Sequence, residues 1–423
     1  MRTHKVSCTI YLTHTQEYPI LVYGGKESMK RAILTICVMF LTAGFAFTQD
    51  QSFVFESDNY RVRSHLSAEH AQTIANHMEA LAGLYNSYFH FNKNDLNHKL
   101  RVQIFRNKAD FDRYLQRLIG ETRNEFVYLH FSDISRSELV GFHREGNPLL
   151  RSIAHQGFIQ FLRAFVPNPP LWMREGFAVY FEEAEVDANF AAAMNRQNLN
   201  WLETLKDLLF GARQASAITP DQMLSINVEA ARDQIDVFYP QAWGVVHYLI
   251  NSPSRSHNRI LWSAISALDP QASLIENSQR VYEAAFRWVP EEILLESFLT
   301  YFDQLKTLRE LIEGGVASYE TGNLTEAESL FVQAISRQDT SYIPHYYLGL
   351  INYDRGNFSL AQFNFERAIE MGADPAITNF ALGVNAFADN RYTDAQSFLE
   401  TTLNLDPDRF SERVNLILER IEF

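Results

Sequence analysis

A repeat period of 34 residues near the end of the chain restricts its fold more than any other feature. Three sets of residues keep this spacing and form three registers of one repeat. They are Gly315, Gly349 and Gly383; Ala327, Ala361 and Ala395; and Phe331, Phe365 and Leu399. A period of this length is typical of stacked helix pairs, each of which buries its apolar face against the next pair. Small residues at two fixed sites let two helices approach closely, and the large apolar residue fills the remaining gap.

Short motifs within this period resemble the tetratricopeptide (TPR) repeat. Ala327 and Phe331 form an A-x-x-x-F element that returns one period later, and the Leu348-Gly349 pair also returns. The resemblance implies an all-α TPR solenoid over residues 308–423. It consists of three repeats and a capping helix, at about 308–341, 342–375, 376–409 and 410–423.

The resemblance also implies a concave face, lined by the first helix of each repeat, that holds a peptide or a helix. If Gly315 is the eighth residue of its repeat, nine residues form a row along this face. They are Ile312, Val316, Tyr319, Tyr346, Leu350, Tyr353, Phe380, Val384 and Phe387. An apolar and aromatic row favours an amphipathic helix or an apolar segment of a partner protein over a charged tail. The alternative occupant is a helix of the chain itself, such as 291–305.

Before the repeats, helical and strand patterns alternate, which is typical of an α+β domain over residues 49–186. Ser67 precedes an amphipathic helix as a candidate N-cap, and apolar residues alternate over 100–104 as in a half-buried strand. Strand-like runs follow at 125–131 and 138–142, and then two helical stretches at 149–165 and 171–183. Residues 187–307 show only helical periodicity, so we expect a helical extension of the same domain.

The two helical stretches contain the candidate functional residues. His155 is followed by Gln156 and, four residues on, by Ile159; Glu175 comes twenty residues after His155, in the run Trp172-Met173-Arg174-Glu175-Gly176. These segments resemble the active-site helices of gluzincin-type zinc metallopeptidases, in particular the peptidase-MA-like domains of bacterial exported proteins. In that family H-E-x-x-H supplies two ligands and the general base, and a Glu on the next helix is the third ligand. The resemblance gives His155 the place of the first ligand and Glu175 that of the third.

The remaining two places of this motif are altered. Gln156 stands where the general base belongs, and an amide cannot take a proton near neutral pH. Ile159 stands where the second ligand belongs, so two protein ligands remain where catalytic zinc has three. We therefore predict a vestigial active site without catalysis and without a cofactor. The alternative is a zinc peptidase with a non-standard ligand set that includes His155 and Glu175, and the adjacent Glu182-Glu183 pair is expected to be a solvated helix face.

Charge and cysteine content exclude further classes of function. Lys plus Arg is 37 and Asp plus Glu is 51, a formal charge of -14, and a chain of that sign repels nucleic acid. Both cysteines, Cys8 and Cys37, lie near the start, so the rest of the chain has neither disulfide nor thiolate chemistry.

The first 48 residues are typical of a leader with a secretory signal. Lys30 and Arg31 precede the apolar run 32–47, which is too short to span a membrane, and cleavage is expected near 46–48. The true start is predicted at Met29, and no transmembrane segment is expected in the mature chain. The combined prediction is an exported, periplasmic or extracellular pseudo-metallopeptidase whose TPR repeats bind protein as a scaffold in the bacterial cell envelope.

Overall fold

The computed structural model describes residues 52–337 and 340–421. The predicted leader, its cleavage site and the predicted start at Met29 lie outside these residues. The chain divides into two compact units between Leu295 and Glu296. This division falls before residue 308, where the repeats are predicted to begin.

A mixed five-stranded sheet starts the first unit. Its order is β1-β2-β3-β5-β4, with β2, β3 and β5 parallel and the two edge strands antiparallel to their neighbours. The strands are β1 (Phe53–Glu56), β2 (Tyr60–Ser64), β3 (Leu100–Phe105), β4 (Val127–Leu129) and β5 (Glu138–Phe142). Alternate residues of β2 and of most of β3 are buried, because successive side chains point to opposite faces of a sheet.

Four helices belong to this α+β part. They are α1 (Ala68–Phe89), α2 (Lys108–Ile119), α3 (Asn147–Phe165) and α4 (Leu171–Tyr180). Ser67 is the N-cap of α1, since its side chain accepts a hydrogen bond from the His70 N–H at 3.0 Å. The predicted strand at 100–104 and the helices around His155 and Glu175 are therefore present.

Residues 187–304 are mainly helical, with one exception to the prediction. The elements are α5 (Leu202–Phe210), α6 (Pro220–Ser225), α7 (Val228–Asp233), α8 (Ile235–Asn251), α9 (Arg255–Ser266), α10 (Leu274–Val281), a π-helical turn (Tyr282–Phe286) and α11 (Glu291–Gln304). The exception is a short hairpin of β6 (Glu185–Val186) and β7 (Ala193–Met194). Asp187 stabilises its loop, because Oδ1 of this residue accepts the Ala191 N–H at 2.6 Å. The expectation of helical periodicity alone was wrong at β7.

The second unit is all-α. Three helix pairs follow one another and end in a seventh helix, at α12 (Leu308–Glu320), α13 (Leu324–Arg337), α14 (Tyr342–Asp354), α15 (Phe358–Glu370), α16 (Pro375–Ala388), α17 (Tyr392–Leu405) and α18 (Pro407–Ile421). An α+β start followed by an all-α, TPR-like region confirms the coarse fold class. No helix within the described residues is both long enough and apolar enough to cross a membrane.

The 34-residue registers correspond to close contacts within each pair. A Cβ built on Gly315 would lie 2.6 Å from Cε1 of Phe331, and one on Gly349 would lie 2.5 Å from Cδ1 of Phe365. In each pair, the glycine of the first helix therefore lets that helix contact the aromatic ring of the second helix. The turns keep the period too, because the turn residues Gly322, Gly356 and Asn390 all have positive φ, at 79°, 74° and 60°.

Candidate functional site

The helices α3 and α4 are buried on nearly every side, which places His155 and Glu175 inside the first unit. Tyr85 of α1 anchors α3 by donating a hydrogen bond to the Ala154 carbonyl at 2.7 Å. Pro170 then ends the link between the two helices and serves as the N-cap residue of α4. The candidate residues consequently lie on two rigid, packed helices.

His155 lies between two carboxylates. Its Nδ1 is 2.7 Å from Oε1 of Glu182, and its Nε2 is 3.8 Å from Oε2 of Glu175, which is beyond hydrogen-bond distance. Because a carboxylate accepts, the first contact assigns the proton of the neutral ring to Nδ1 and the lone pair to Nε2. Glu182 also accepts from the side-chain amide of Asn198 at 3.2 Å. A carboxylate that orients an imidazole in this way is typical of histidine metal ligands.

Glu175 has two oxygens in different situations. Oε1 accepts from Nε of Arg174 at 2.6 Å, whereas Oε2 has no hydrogen-bond partner among the described residues. The same is true of Nε2 of His155, and both side chains are almost fully buried, with 2% of Glu175 and 4% of His155 exposed. Burial raises the pKa of the Tyr239 hydroxyl well above its ordinary value, and the charge of Glu175 together with a hydrogen bond that the hydroxyl donates to this residue raises it further.

Gly176 brings α8 into contact with α4. A Cβ on Gly176 would lie 2.3 Å from the carbonyl oxygen of Ala242, a distance that excludes any side chain. Tyr239 lies one turn before Ala242 on α8, so this close approach positions the tyrosine beside Glu175.

Gln156, in the place of the general base, is bonded to the sheet. Its Oε1 accepts the backbone N–H of Tyr128 at 3.2 Å, and 1% of the residue is exposed. Tyr128 belongs to β4, an edge strand that pairs on one side only, with β5. The amide oxygen therefore satisfies a donor of the strand edge that would otherwise lack a partner in the sheet.

Ile159 lies one turn after His155 and is fully buried. A hydrocarbon side chain offers no donor atom to a metal, and the polar atoms that face each other here are Nε2 of His155 and Oε2 of Glu175. No group of three or more His, Cys, Asp or Glu side chains within residues 52–337 and 340–421 is arranged to hold a metal ion.

Sequence reasoning missed the role of Glu182. We expected Glu182 and Glu183 to form a solvated face, and for Glu182 this was wrong, because its carboxylate bonds His155 and its side chain is only 18% exposed. The structure ends α4 at Tyr180, so Glu182 lies in the turn after the helix, and its spacing of seven residues from Glu175 was the available signal.

The nine residues of the predicted concave row lie on α12, α14 and α16, and all are partly buried. Tyr319 donates a hydrogen bond to Oδ2 of Asp354 at 3.5 Å, which joins the first repeat to the second. At the other end, the rings of Phe380 and Phe410 pack with centroids 5.2 Å apart, so α18 contacts the third repeat.

Comparisons with known proteins cover parts of the chain. A family model described as a protein of unknown function (DUF1570) matches residues 154–267, which contain His155, Glu175 and Tyr239. That description names no activity. The TPR domain of Arabidopsis OM64 is similar over 27% of this chain and 93% of its own length, with 16% sequence identity and a TM-score of 0.25. No curated protein matches the chain.

Proposed function

We propose that the protein binds protein partners through its helical repeats and that its first unit is a metallopeptidase-like domain without catalytic activity. The observation that carries the second part is the bond between Gln156 and Tyr128. A residue in the general base's place that is neutral and already bonded to the sheet cannot deprotonate a water molecule.

The side chains at this site lack one of the ligands that a catalytic zinc ion requires. Catalytic zinc sites have three protein ligands and an open position for water. Here Nε2 of His155 and Oε2 of Glu175 converge, but Ile159 supplies no third ligand. The residues present therefore do not fit a catalytic zinc ion.

A zinc peptidase with a non-standard ligand set is the second candidate. The observation that favours it is the pair of buried atoms without hydrogen-bond partners on His155 and Glu175, together with the carboxylate of Glu182 that orients the imidazole. Metal bound between these atoms would satisfy both of them.

Metal content of the purified chain from residue 49 onward distinguishes the two candidates. After dialysis against stoichiometric zinc, elemental mass spectrometry is expected to find no tightly held zinc. About one zinc per chain, lost in His155→Ala and in Glu175→Ala, would instead support the peptidase.

Rebuilding the motif makes the test sharper. Ile159→His restores a ligand but no base, so this variant is expected to bind zinc without cleaving a casein probe. Addition of Gln156→Glu restores the base and is expected to produce cleavage. If Gln156→Glu alone cleaved the probe, the reasoning about the missing ligand would be wrong.

Binding by the repeats is tested separately, with a photoreactive phenylalanine analogue incorporated in the cell. At Tyr353, in the predicted row, it is expected to give discrete cross-linked products. At Glu366, which is exposed on the second helix of the same repeat, it serves as the matched control. Equal labelling at both sites would contradict binding at the concave face.

The basic residues Lys30 and Arg31 before the apolar run 32–47 support export, and we place the scaffold role in the cell envelope. Alkaline phosphatase fused after residue 51 is active only outside the cytoplasm. We expect it to be active in this fusion and inactive when residues 29–48 are deleted. Activity without those residues would contradict the predicted signal.

A further inference from the structure

Acidic side chains flank the concave row in the first two repeats. Glu313 and Glu320 lie on α12 and Asp354 on α14, and all three are exposed. The register of Glu313 holds Tyr347 in the second repeat and Ala381 in the third. The register of Glu320 and Asp354 holds Ala388 in the third repeat. Within these registers, the negative charge therefore lies in the first two repeats.

These carboxylates act on the aromatic residues of the row and its margin. Burial raises the pKa of Tyr319 to about 12, and the nearby charge of Asp354, which also accepts the Tyr319 hydrogen bond, contributes to the shift. Burial and then the charge of Glu320 raise the pKa of Tyr347. The aromatic surface of the first two repeats is thus negatively polarised.

The five registers that hold the row and its carboxylates contain no Lys, Arg or His in any repeat. Their residues are Ile312, Tyr346 and Phe380; Glu313, Tyr347 and Ala381; Val316, Leu350 and Val384; Tyr319, Tyr353 and Phe387; and Glu320, Asp354 and Ala388. These registers therefore offer no cation of their own to a carboxylate, although the charge of Arg409 acts on Tyr346 in the middle of the row. The third repeat offers only apolar side chains in these registers.

We propose that the concave row binds an amphipathic helix that carries Lys or Arg at one end. The basic end lies beside Glu320 and Asp354, and the apolar end packs on Phe380 and Phe387. The carboxylates of the first two repeats attract the basic end of such a helix, and the apolar side chains of the row suit its apolar face. The inference rests on the proposed function, because it specifies the partner of the same repeats.

Two fluorescent model helices of equal length test this proposal by anisotropy on the full chain. Both carry the same Leu face, and one has Lys while the other has Glu in its first two turns. The Lys helix is expected to bind on the order of tenfold more tightly, with the difference reduced in high salt.

Variants then locate the site. The triple variant Glu313→Gln, Glu320→Gln and Asp354→Asn is expected to weaken the Lys helix on the order of tenfold, since each rim charge contributes a small amount. Because all three positions are exposed, circular dichroism is expected to be unchanged. The matched control removes the same charge from the second helices, by Glu326→Gln, Glu366→Gln and Glu400→Gln, and is expected to leave binding unchanged.

The outcomes separate this inference from the function on which it rests. Equal affinity for both helices, or equal loss in both triple variants, would overturn the charge selection while binding by the repeats stands. If neither helix binds, the proposal of an amphipathic helix fails, and cross-linking at Tyr353 in the cell decides whether the repeats bind protein. In that case a large loss of thermal stability in Tyr353→Ala would indicate that the chain's own 291–305 segment occupies the row. A photoreactive group on the basic end of a bound helix should label α14, and one on its apolar end should label α16.

Discussion

Two adjacent glycines of α12 have opposite surroundings, and substitution of each by alanine is expected to change stability in opposite directions. Gly314 is partly buried and has one neighbour, Cδ1 of Leu330, at 3.4 Å from a built Cβ. At Gly315 the same Cβ would lie 2.6 Å from Cε1 of Phe331. That ring is fully buried and stacks on Tyr347 with centroids 5.3 Å apart, so it has little room to move away.

The magnitudes follow from two opposing effects. Alanine in place of glycine inside a helix stabilises it by about 1 kcal/mol through backbone propensity. At Gly314 this gain remains, because 3.4 Å is close to ordinary contact. At Gly315 the new carbon would be about 1 Å closer to the ring than carbon atoms normally approach, and overpacking of this kind costs about 1–3 kcal/mol. Since the propensity gain is shared, Gly315→Ala should be about 1–3 kcal/mol less stable than Gly314→Ala.

Hydrogen exchange of the full chain, read by mass spectrometry on peptides of α12 and α13, measures this difference locally. A single global unfolding free energy is not well defined for a chain of two units. A difference of 1.4 kcal/mol corresponds to about a tenfold change in the population of the open state. Gly314→Ala is expected to slow exchange in these helices and Gly315→Ala to accelerate it. A shift of the same sign and size in both variants would refute the packing argument.

Three further predictions concern single contacts. Glu182→Gln should destabilise the first unit by about 1–3 kcal/mol, because buried His155 loses its charged partner. Glu183→Gln, at a partly exposed ion pair, should change stability by less than about 1 kcal/mol, and hydrogen exchange of peptides from α3 and α4 measures both changes. Burial lowers the pKa of His77 from 6.5 to about 4, so the folded state binds fewer protons than the unfolded state between these pH values. Stability therefore falls as the pH drops from 6.5 towards 4, by an amount on the order of 1–3 kcal/mol. His77→Gln should flatten this fall in unfolding curves measured across the same pH range. Gly356→Ala, at φ 74° in open space, should cost about 1–2 kcal/mol through the backbone alone, and an unchanged exchange rate in α14 and α15 would contradict this.

The repeat region could be predicted because its signals are local and periodic. Gly315 and Phe331 lie in one helix pair, and each contact returns 34 residues later in an equivalent environment. The N-cap at Ser67 was readable for the same reason, since the cap and the first turn it bonds are adjacent in the chain. Periodicity and capping thus fix elements whose partners are near in sequence.

The surroundings of the candidate site could not be predicted in this way. Glu182 and Glu183 are identical and adjacent and both pair with Arg151, yet Glu182 also bonds His155 from 27 residues away. The bond from Gln156 to Tyr128 also joins a helix to a strand that no local pattern relates. The hairpin at 185–194 was missed because strands of two residues are too short to show alternation.

The four residues that resemble places of a metallopeptidase motif fall into two groups by their surroundings. The two replaced residues are satisfied where they lie, since Gln156 bonds the Tyr128 N–H and Ile159 is buried as a hydrocarbon. The two retained residues are not, since Nε2 of His155 and Oε2 of Glu175 remain buried without hydrogen-bond partners among the described residues. These two atoms lie 3.8 Å apart and face each other, and Tyr239 packs beside Glu175. Gln156 and Ile159 are therefore accounted for by the packing of the first unit alone. The metal measurement tests the retained pair directly, because a metal bound between Nε2 of His155 and Oε2 of Glu175 would satisfy both atoms, whereas a chain without metal leaves them in contact only with each other at 3.8 Å.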